Sequence, residues 1–171
     1  MTAATSLWIR DATGADLAAI NRIYNDAIET TTATWDEVRW TDEKRREWFA
    51  EHGPSTPVLV AEVDGAVAGF AYLTLMSQKS GWRFTREDTI YLDPAFHRQG
   101  IGRRLLGDLL DRARALDVRL VVATISSDNA ASIALHEALG FTFAGQLRGS
   151  GYKFDAWRDT IYMTHDLRPG S

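Results

Sequence analysis

A carboxylate and two glycines near the middle of the chain are the residues whose types and spacing could do chemistry. Gly100 and Gly102 lie between a β-prone run, Thr89–Leu92, and a helical pattern that opens at Arg103. A helix N-terminus presents unpaired N–H groups and a positive dipole end, and glycine lets the backbone approach an anion closely because it has no Cβ. Glu87 lies near the start of the same predicted strand. The stretch therefore offers a candidate base beside a candidate phosphate cradle.

Composition limits the class of protein and of partner. The 171 residues suffice for one domain with a proper core, and 45% hydrophobic with 25% charged residues is typical of soluble globular proteins. We expect one domain over residues 1–171, with its core from about residue 7 to about residue 167. A formal net charge of -4 and a pI near 5.5 argue against nucleic acid or an anionic membrane as the main partner.

The sequence shows no signal for a leader peptide, a membrane span or a metal site. The N-terminal segment lacks a basic region followed by an apolar core, and no later segment has the roughly 18 uninterrupted apolar residues that spanning requires. We therefore expect a cytoplasmic protein. Cysteine is absent, and the four histidines at 52, 97, 136 and 165 are too scattered to predict a zinc site. Metal-free chemistry is the expectation.

Hydrophobic periodicity predicts one pattern of strands and helices over the whole chain. Helices are predicted over residues 14–28, 42–51, 103–116 with the two glycines at its first turn, and 130–139. Strands are predicted at residues 7–10, 58–63, 67–75, 89–92, 120–125, 141–146 and 160–165, with an Asp-Gly hairpin turn after the second. The order β-α-α-β-β-β-α-β-α-β-β predicts a single mixed sheet of seven strands with helices on both faces, an α/β fold of the α+β type.

Nearly the whole chain carries short motifs in a distinctive order. Each motif is weak alone, but an ordered set with preserved spacing would rarely arise by chance. The motifs are Asn25 with Ile28-Glu29-Thr30, Ala61-Glu62-Val63-Asp64-Gly65 with Gly69-Phe70-Ala71-Tyr72, Gly81-Trp82-Arg83-Phe84-Thr85-Arg86-Glu87, Asn129-Ala130-Ala131-Ser132, His136-Glu137-Ala138-Leu139-Gly140-Phe141, and Gly151-Tyr152-Lys153-Phe154 with Trp157 and Asp159. Together they resemble the motifs of the GNAT-type N-acetyltransferases, and more narrowly those of the phosphinothricin and methionine sulfoximine acetyltransferase group.

The resemblance implies an enzyme that takes acetyl-CoA as acetyl donor, has a mostly antiparallel GNAT-like sheet and is often a homodimer. His97 stands where the family's pyrophosphate signature begins with Gln or Arg, so Arg98 or Arg103 would supply the charge while backbone N–H groups do most of the cradling. Helix capping explains Asn129 as well as cofactor binding does. The residues implied to bind acetyl-CoA are Ile90, Tyr91, Leu92, Arg98, Gln99, Gly100, Ile101, Gly102, Arg103, Asn129 and Ser132.

Acetyl transfer to an amine needs a base, an oxyanion donor and an acid. The resemblance assigns the base to Glu87, acting through water, and the oxyanion donor to backbone N–H groups of the segment 90–92. His136 occupies a position where many GNAT enzymes have tyrosine and the phosphinothricin group has histidine. There it would protonate the thiolate, help to deprotonate the amine, or serve only as a satisfied core residue. The sequence leaves these three roles open.

The resemblance also implies the acceptor, which is the α-amine of a small amino acid such as phosphinothricin, methionine sulfoximine or arsinothricin. Such a ligand needs cations, and the loop 76–84 supplies Lys79 and Arg83, whose other role is that of solvated loop charges. Relatives often carry Arg where this chain has Ser77, so doubly anionic phosphinothricin should bind more weakly than methionine sulfoximine. The residues implied to contact the acceptor are Trp35, Tyr72, Lys79, Arg83 and Thr89, with core packing as the alternative for the aromatic ones.

Other functions remain open at this point. The chain could acetylate another small amine, or it could be a catalytically silent acyl-CoA-binding sensor, because a fold does not determine an activity. A nucleotide-binding domain could also use Gly100 and Gly102, but neither a third Rossmann glycine nor the Gly-Lys-Ser/Thr ending of a P-loop follows. A thiol-release assay separates an enzyme from a sensor. A thermal-shift comparison of acetyl-CoA, NAD and ATP separates the nucleotide alternative.

Overall fold

The computed structural model describes residues 6–168, and its elements occur in the order that the sequence predicts. The strands are β1 (Leu7–Asp11), β2 (Val58–Val63), β3 (Ala66–Leu75), β4 (Thr85–Leu92), β5 (Leu120–Ser126), β6 (Thr142–Lys153) and β7 (Ala156–Asp166). The α-helices are α1 (Leu17–Thr30), α2 (Asp42–Ala50), α3 (Ile101–Ala115) and α4 (Ala130–Ala138).

One sheet contains these strands in the order β1-β2-β3-β4-β5-β7-β6. Neighbouring strands are antiparallel except β4 and β5, which are parallel. Parallel neighbours need a crossover connection, and α3 provides it. The prediction of a mixed, mostly antiparallel sheet is confirmed. The turn between β2 and β3 also follows the Asp-Gly signal, because Asp64 and Gly65 have φ values of 49° and 85°.

Helices cover both faces of the sheet, as predicted. Successive strand residues point to opposite faces, so Leu59 packs in the cluster that contains α3 while Val60 packs in the cluster that contains α1. Ile20 of α1 and Leu105 of α3 are both fully buried in these two clusters. Within the described range, none of the helices has both the length and the apolar character needed to cross a bilayer.

Two elements at the centre of the chain begin before the local pattern that marks each of them. β4 starts at Thr85, before the β-prone run 89–92, and contains Glu87 near its start as predicted; the charged side chains at residues 86–88 break the apolar pattern of this interior strand. α3 starts at Ile101 rather than Arg103, because Gly100 forms its N-cap in the left-handed region, with φ of 78°.

The last two strands are much longer than the sequence predicts. β6 and β7 form a hairpin that closes at Phe154 and Asp155, which have φ values of 52° and 55°. The glycines and polar residues of β6 hide its alternation, and its pairing with β7 is irregular between Leu147 and Gly151. Cross-strand pairing with β7 overrides the weak local propensity.

Candidate active site

The two central strands separate halfway along their length. β4 pairs with β5 from Thr85 opposite Leu120 to Asp88 opposite Ala123, and no further. Beyond this point β4 continues to Leu92 beside β3, while β5 continues beside β7. The facing edges therefore carry backbone N–H and C=O groups that no neighbouring strand satisfies, and such groups are available to a ligand.

A cavity of about 190 Å³ lies at this separation. Its walls come from β3, β4, β5, α4 and the loop after α1. The predicted site residues that line it are Trp35, Tyr72, Glu87, Thr89, Ile90, Tyr91, Asn129, Ser132 and His136. The fold thus brings the candidate base, the candidate acid and the open edge of β4 into one space.

Glu87 is half-buried at the wall of this cavity. Its neighbours across the sheet are Thr74 of β3 and Val122 of β5, which are uncharged. Across residues 6–168 its carboxylate has no hydrogen-bond or ion-pair partner. A carboxylate that lines a cavity and is not otherwise engaged can accept a proton from a ligand or from a bridging water.

His136 is buried beside the cavity, with 3% of its side chain exposed. Its Nδ1 lies 2.7 Å from the carbonyl oxygen of Ser132, and its Nε2 lies 3.0 Å from Oδ2 of Asp88. Burial alone lowers the pKa of His136, but the hydrogen bond and charge of Asp88, with the Ser132 carbonyl, raise that pKa above its ordinary value overall. His136 is therefore one half of a buried polar pair.

The turn before α3 has the features of an anion site. Gly100 and Arg98 both lie in the left-handed region, with φ values of 78° and 60°. The first hydrogen bond across the start of the helix runs from the Arg104 N–H to the Gly100 carbonyl, at 3.2 Å, so the preceding N–H groups lie outside the helical ladder. Arg98 and Arg103 are exposed and form no ion pair within residues 6–168. Backbone donors and two guanidinium groups are thus exposed together, as a pyrophosphate requires.

Gly102 has a second role that its place in the motif does not reveal. It is buried, and a Cβ at this position would lie 3.0 Å from Cδ1 of Leu92 and 3.4 Å from Cδ2 of Leu135. The glycine therefore lets the first turn of α3 pack closely on β4 and α4. A larger residue at 102 would disturb this packing as well as any ligand.

The β6–β7 hairpin holds one wall of the cavity in place. Nζ of Lys153 donates to the carbonyl oxygen of Thr34 at 2.9 Å, and both residues are buried. Gly151 lies so close to Trp35 that a Cβ would meet ring atoms at 2.4 Å. These contacts fix the segment that carries Trp35 into the cavity. Sequence reasoning noted Lys153 and Gly151 only as parts of a motif.

Lys79 and Arg83, which were predicted to bind the acceptor, are exposed and do not line the cavity. Arg83 donates to the Ser80 carbonyl at 3.1 Å and stacks over the Phe84 ring at 4.4 Å. The Oγ of Ser77 accepts a hydrogen bond from the Lys79 N–H at 3.2 Å. In the single chain, both cations therefore lie outside the cavity, on the loop that leads into β4.

Sequence reasoning missed several polar residues of the cavity wall, among them Thr34, Asp88, Thr124 and Ser126. The signal for Thr124 and Ser126 is that they are polar positions in the otherwise apolar strand β5. The signal for Asp88 is that it follows Glu87 directly in a strand. Successive strand residues point to opposite faces, so one of two adjacent carboxylates in an interior strand must find a buried partner.

Comparison with known proteins identifies the class of enzyme to which this fold belongs. The chain belongs to the acetyltransferase (GNAT) family, whose model matches residues 20–141. It is 42% identical to an L-methionine sulfoximine/L-methionine sulfone acetyltransferase of Salmonella typhimurium, over 93% of this chain and 94% of that protein. It is 41% identical to a phosphinothricin N-acetyltransferase of Alcaligenes faecalis, over 91% of this chain and 80% of that protein.

A solved structure agrees with these relatives. A phosphinothricin acetyltransferase of Sinorhizobium meliloti, solved in complex with acetyl-CoA, matches with a TM-score of 0.92 and 36% identity, covering 96% of this chain and 90% of that chain. The resemblance inferred from the motifs is confirmed, and the protein is an acetyl-CoA-dependent N-acetyltransferase. Residues 6–168 contain no cluster of three or more histidine, aspartate or glutamate side chains that could hold a metal ion.

Proposed function

We propose that the protein acetylates the α-amine of a small amino acid of the methionine sulfoximine, phosphinothricin or arsinothricin kind, with Glu87 as general base. The observation that carries this proposal is an unengaged carboxylate, Glu87, in the same cavity as the open edge of β4. The names of the two relatives support the acceptor class. We propose that the reaction takes place in the cytoplasm, where acetyl-CoA is available. Acetylation of such compounds would make the cell resistant to them.

In the proposed reaction, the residues at the cavity have different catalytic roles. Glu87 accepts the proton that the amine loses, directly or through one water. The β4 edge from Ile90 to Leu92 donates backbone hydrogen bonds to the negative charge that develops on a carbonyl oxygen. Acetyl-CoA supplies an acetyl group already activated as a thioester. Because the chain contains no cysteine to form an acetyl-thiol intermediate, we propose direct transfer.

Acceptor selectivity should be decided at the entrance of the cavity. Apart from His136, the side chains that line the cavity within residues 6–168 include no cation. The carboxylate of an amino acid needs a cationic partner, and a guanidinium can bind it through two parallel hydrogen bonds. Arg83 is exposed on the loop that leads into the strand of Glu87. We propose that Arg83, with Lys79 as a second cation, contacts the acceptor carboxylate.

This assignment predicts an order of acceptors and the effect of one substitution. With saturating acetyl-CoA, a thiol-release assay should give higher kcat/KM for methionine sulfoximine than for phosphinothricin, and higher values for both than for polyamines. Arg83→Ala should lower kcat/KM for the two amino acids by about 10- to 100-fold, the scale of one lost charge-assisted hydrogen bond. The polyamine values should not fall, because polyamines carry no carboxylate.

A matched control is Arg46→Ala, which removes an exposed arginine of α2 that does not line the cavity. Faster acetylation of polyamines, or normal handling of amino acids by Arg83→Ala, would remove this acceptor assignment. Binding of acetyl-CoA without thiol release for any amine would instead favour a silent acyl-CoA-binding protein.

We also propose that the protein is a homodimer in which the β6–β7 hairpin lies against a second copy. β6 is an edge strand of the sheet. Exposed apolar patches mark protein interfaces, and on this hairpin the exposed rings of Tyr152 and Trp157 are in contact, with centroids 5.1 Å apart. The exposed apolar side chains of the hairpin are Phe143 (63%), Leu147 (50%), Tyr152 (47%), Phe154 (49%) and Trp157 (70%).

Trp157→Glu should therefore weaken self-association. An aromatic side chain at the centre of an interface contributes about 2 kcal/mol or more, so the dimer dissociation constant should rise by at least about 30-fold. Trp8→Glu is the matched control, because Trp8 is 67% exposed on β1 at the opposite edge of the sheet. Sedimentation equilibrium measures both variants. A monomeric wild-type protein, or equal effects of the two substitutions, would contradict the assignment of the hairpin.

A further inference from the structure

We propose that Asp88 is a positioning residue that keeps a proton on His136, and that this buried pair supplies the proton taken up by the departing thiolate. The inference rests on the proposed acetyl transfer, and it assigns a role to a residue that the sequence motifs do not include. It depends on the contacts of the His136 ring, on its burial and on its place at the cavity.

The contacts of the ring determine where its protons lie. The Ser132 carbonyl oxygen, 2.7 Å from Nδ1, can only accept a hydrogen bond, so Nδ1 must carry a hydrogen. The other nitrogen, Nε2, lies 3.0 Å from Oδ2 of Asp88. A hydrogen bond at this position requires one proton between Nε2 and Oδ2. The pair is therefore either an imidazolium with a carboxylate or a neutral imidazole with a carboxylic acid.

Both of these forms hold one proton more than a neutral histidine beside an aspartate anion. Removing that proton would place the Nε2 lone pair against a carboxylate whose side chain has 0% exposure. A buried anion without a compensating donor is costly. The other carboxylate oxygen, Oδ1, is also buried and has no hydrogen-bond partner among residues 6–168. The pair should therefore retain its proton at neutral pH, and the proton should lie on the ring, because, against the effect of burial, Asp88 and the Ser132 carbonyl raise the pKa of His136.

Few other charged groups act on this pair. On α4 itself the neighbour is the uncharged Ser132, and the Phe141 ring packs on the His136 ring at 4.8 Å. From β7, the His165 ring lies beyond Phe141, at 5.3 Å from it. On β4, Glu87 precedes Asp88 and lines the same cavity, and the β5 residues of the wall are uncharged. Asp88 is thus the charged group in direct contact with His136.

The position of the pair suits the second half of the transfer. Asp88 and His136 both line the cavity, so the shared proton needs no path through the hydrophobic core. When the new N–C bond has formed, the C–S bond breaks and its electron pair leaves on sulfur. The sulfur takes up the proton of the pair, while the proton lost by the amine goes to Glu87. Glu87 then releases its proton to the solvent of the cavity and the pair regains one from it, so that both groups are reset and the products are the amide and the free thiol.

The test is Asp88→Asn, which keeps the shape and hydrogen bonding of the side chain but removes its charge. In the wild-type protein without ligands, ¹⁵N NMR should show both ring nitrogens of His136 protonated at pH 7. In Asp88→Asn the ring should be neutral, with hydrogen on Nδ1 only, because burial lowers the pKa of His136 once the carboxylate is gone. The variant should also lose about 10²-fold in kcat, at the low end of general acid effects, with acetyl-CoA affinity unchanged.

The pH dependence of kcat is a second test, because the inference predicts the direction in which it shifts. Activity that needs the protonated pair is lost as pH rises through the pKa of His136, which Asp88 holds above its ordinary value. The alkaline limb of kcat should therefore move to lower pH in Asp88→Asn. Glu87→Gln is the control, because it should lose activity while keeping the doubly protonated ring of His136.

Three results would overturn the inference. The first is a neutral His136 ring in the wild-type protein at pH 7, the second is an unchanged pH profile in Asp88→Asn, and the third is an impaired Asp88→Asn variant whose His136 spectrum is normal. If the wild-type protein acetylates no amine, the proposed function and the proton-transfer step are both contradicted. The NMR measurement does not depend on turnover, so it still shows whether the proton lies on His136. A low kcat in Asp88→Asn with a normal His136 spectrum would show that Asp88 has only a structural role.

Discussion

Glu87→Gln is expected to lower kcat at neutral pH by about 10²–10⁴, the usual scale for a general base. The amide is nearly the same size as the carboxylate and cannot accept the proton that the amine must lose. Glu87 has no hydrogen-bond or ion-pair partner within residues 6–168, so the substitution breaks no ion pair and should leave the fold intact. Acetyl-CoA affinity should hardly change. Steady-state thiol release gives kcat, and calorimetric titration gives the affinity.

Glu62→Gln is a suitable control for this experiment. Glu62 is also a strand glutamate, but it is paired with Arg10 at 2.8 Å and does not line the cavity. Its replacement should cost a little stability and leave turnover of the folded enzyme unchanged. Near-normal turnover and pH profile in Glu87→Gln would show that the base lies elsewhere. His136 is then the next candidate, although its ring nitrogens already contact Ser132 and Asp88.

Gly100→Val is expected to weaken acetyl-CoA binding by about 10- to 100-fold, the scale of one or two lost hydrogen bonds to a charged group. Gly100 has φ of 78°, which a β-branched residue adopts only with strain. The turn should relieve this strain by changing its backbone, and the N–H groups at the start of α3 would move away from the pyrophosphate. A Cβ at Gly100 meets no atom within 4 Å, so the core should not be disturbed.

The choice of glycine matters for this test. Gly102→Val confounds binding with folding, because a Cβ there is already 3.0 Å from Leu92. Gly107→Ala is the matched control, since Gly107 lies within α3 and a Cβ there meets nothing within 4 Å. It should bind acetyl-CoA normally and be slightly more stable, as alanine favours a helix by roughly 1 kcal/mol over glycine. An unchanged dissociation constant in folded Gly100→Val would contradict a pyrophosphate site at this turn.

Local sequence signals predicted most of the fold, and they failed where function or long-range pairing intervenes. The apolar face of α3 and the Asp64-Gly65 turn follow from nearest neighbours along the chain, so periodicity and turn chemistry were enough to predict them. For β4, the β-prone run alone begins too late, because the charges at residues 86–88 that interrupt the apolar pattern belong to the site. The length of β6 did not follow from local signals, because its pairing with β7 depends on residues outside any local window.

The sequence by itself determined the order of elements, the family, the candidate base Glu87 and the glycine turn before α3, because each of these is recorded in residue types at fixed spacing. Only the tertiary structure decided which side chains meet. The partnership of His136 with Asp88 joins α4 to β4, and the Lys153 contact that fixes the Trp35 wall joins β6 to the loop after α1. The structure also placed Lys79 and Arg83 outside the cavity of the single chain. Such contacts depend on how strands and helices pack, and packing is a property of the whole chain that no short motif contains.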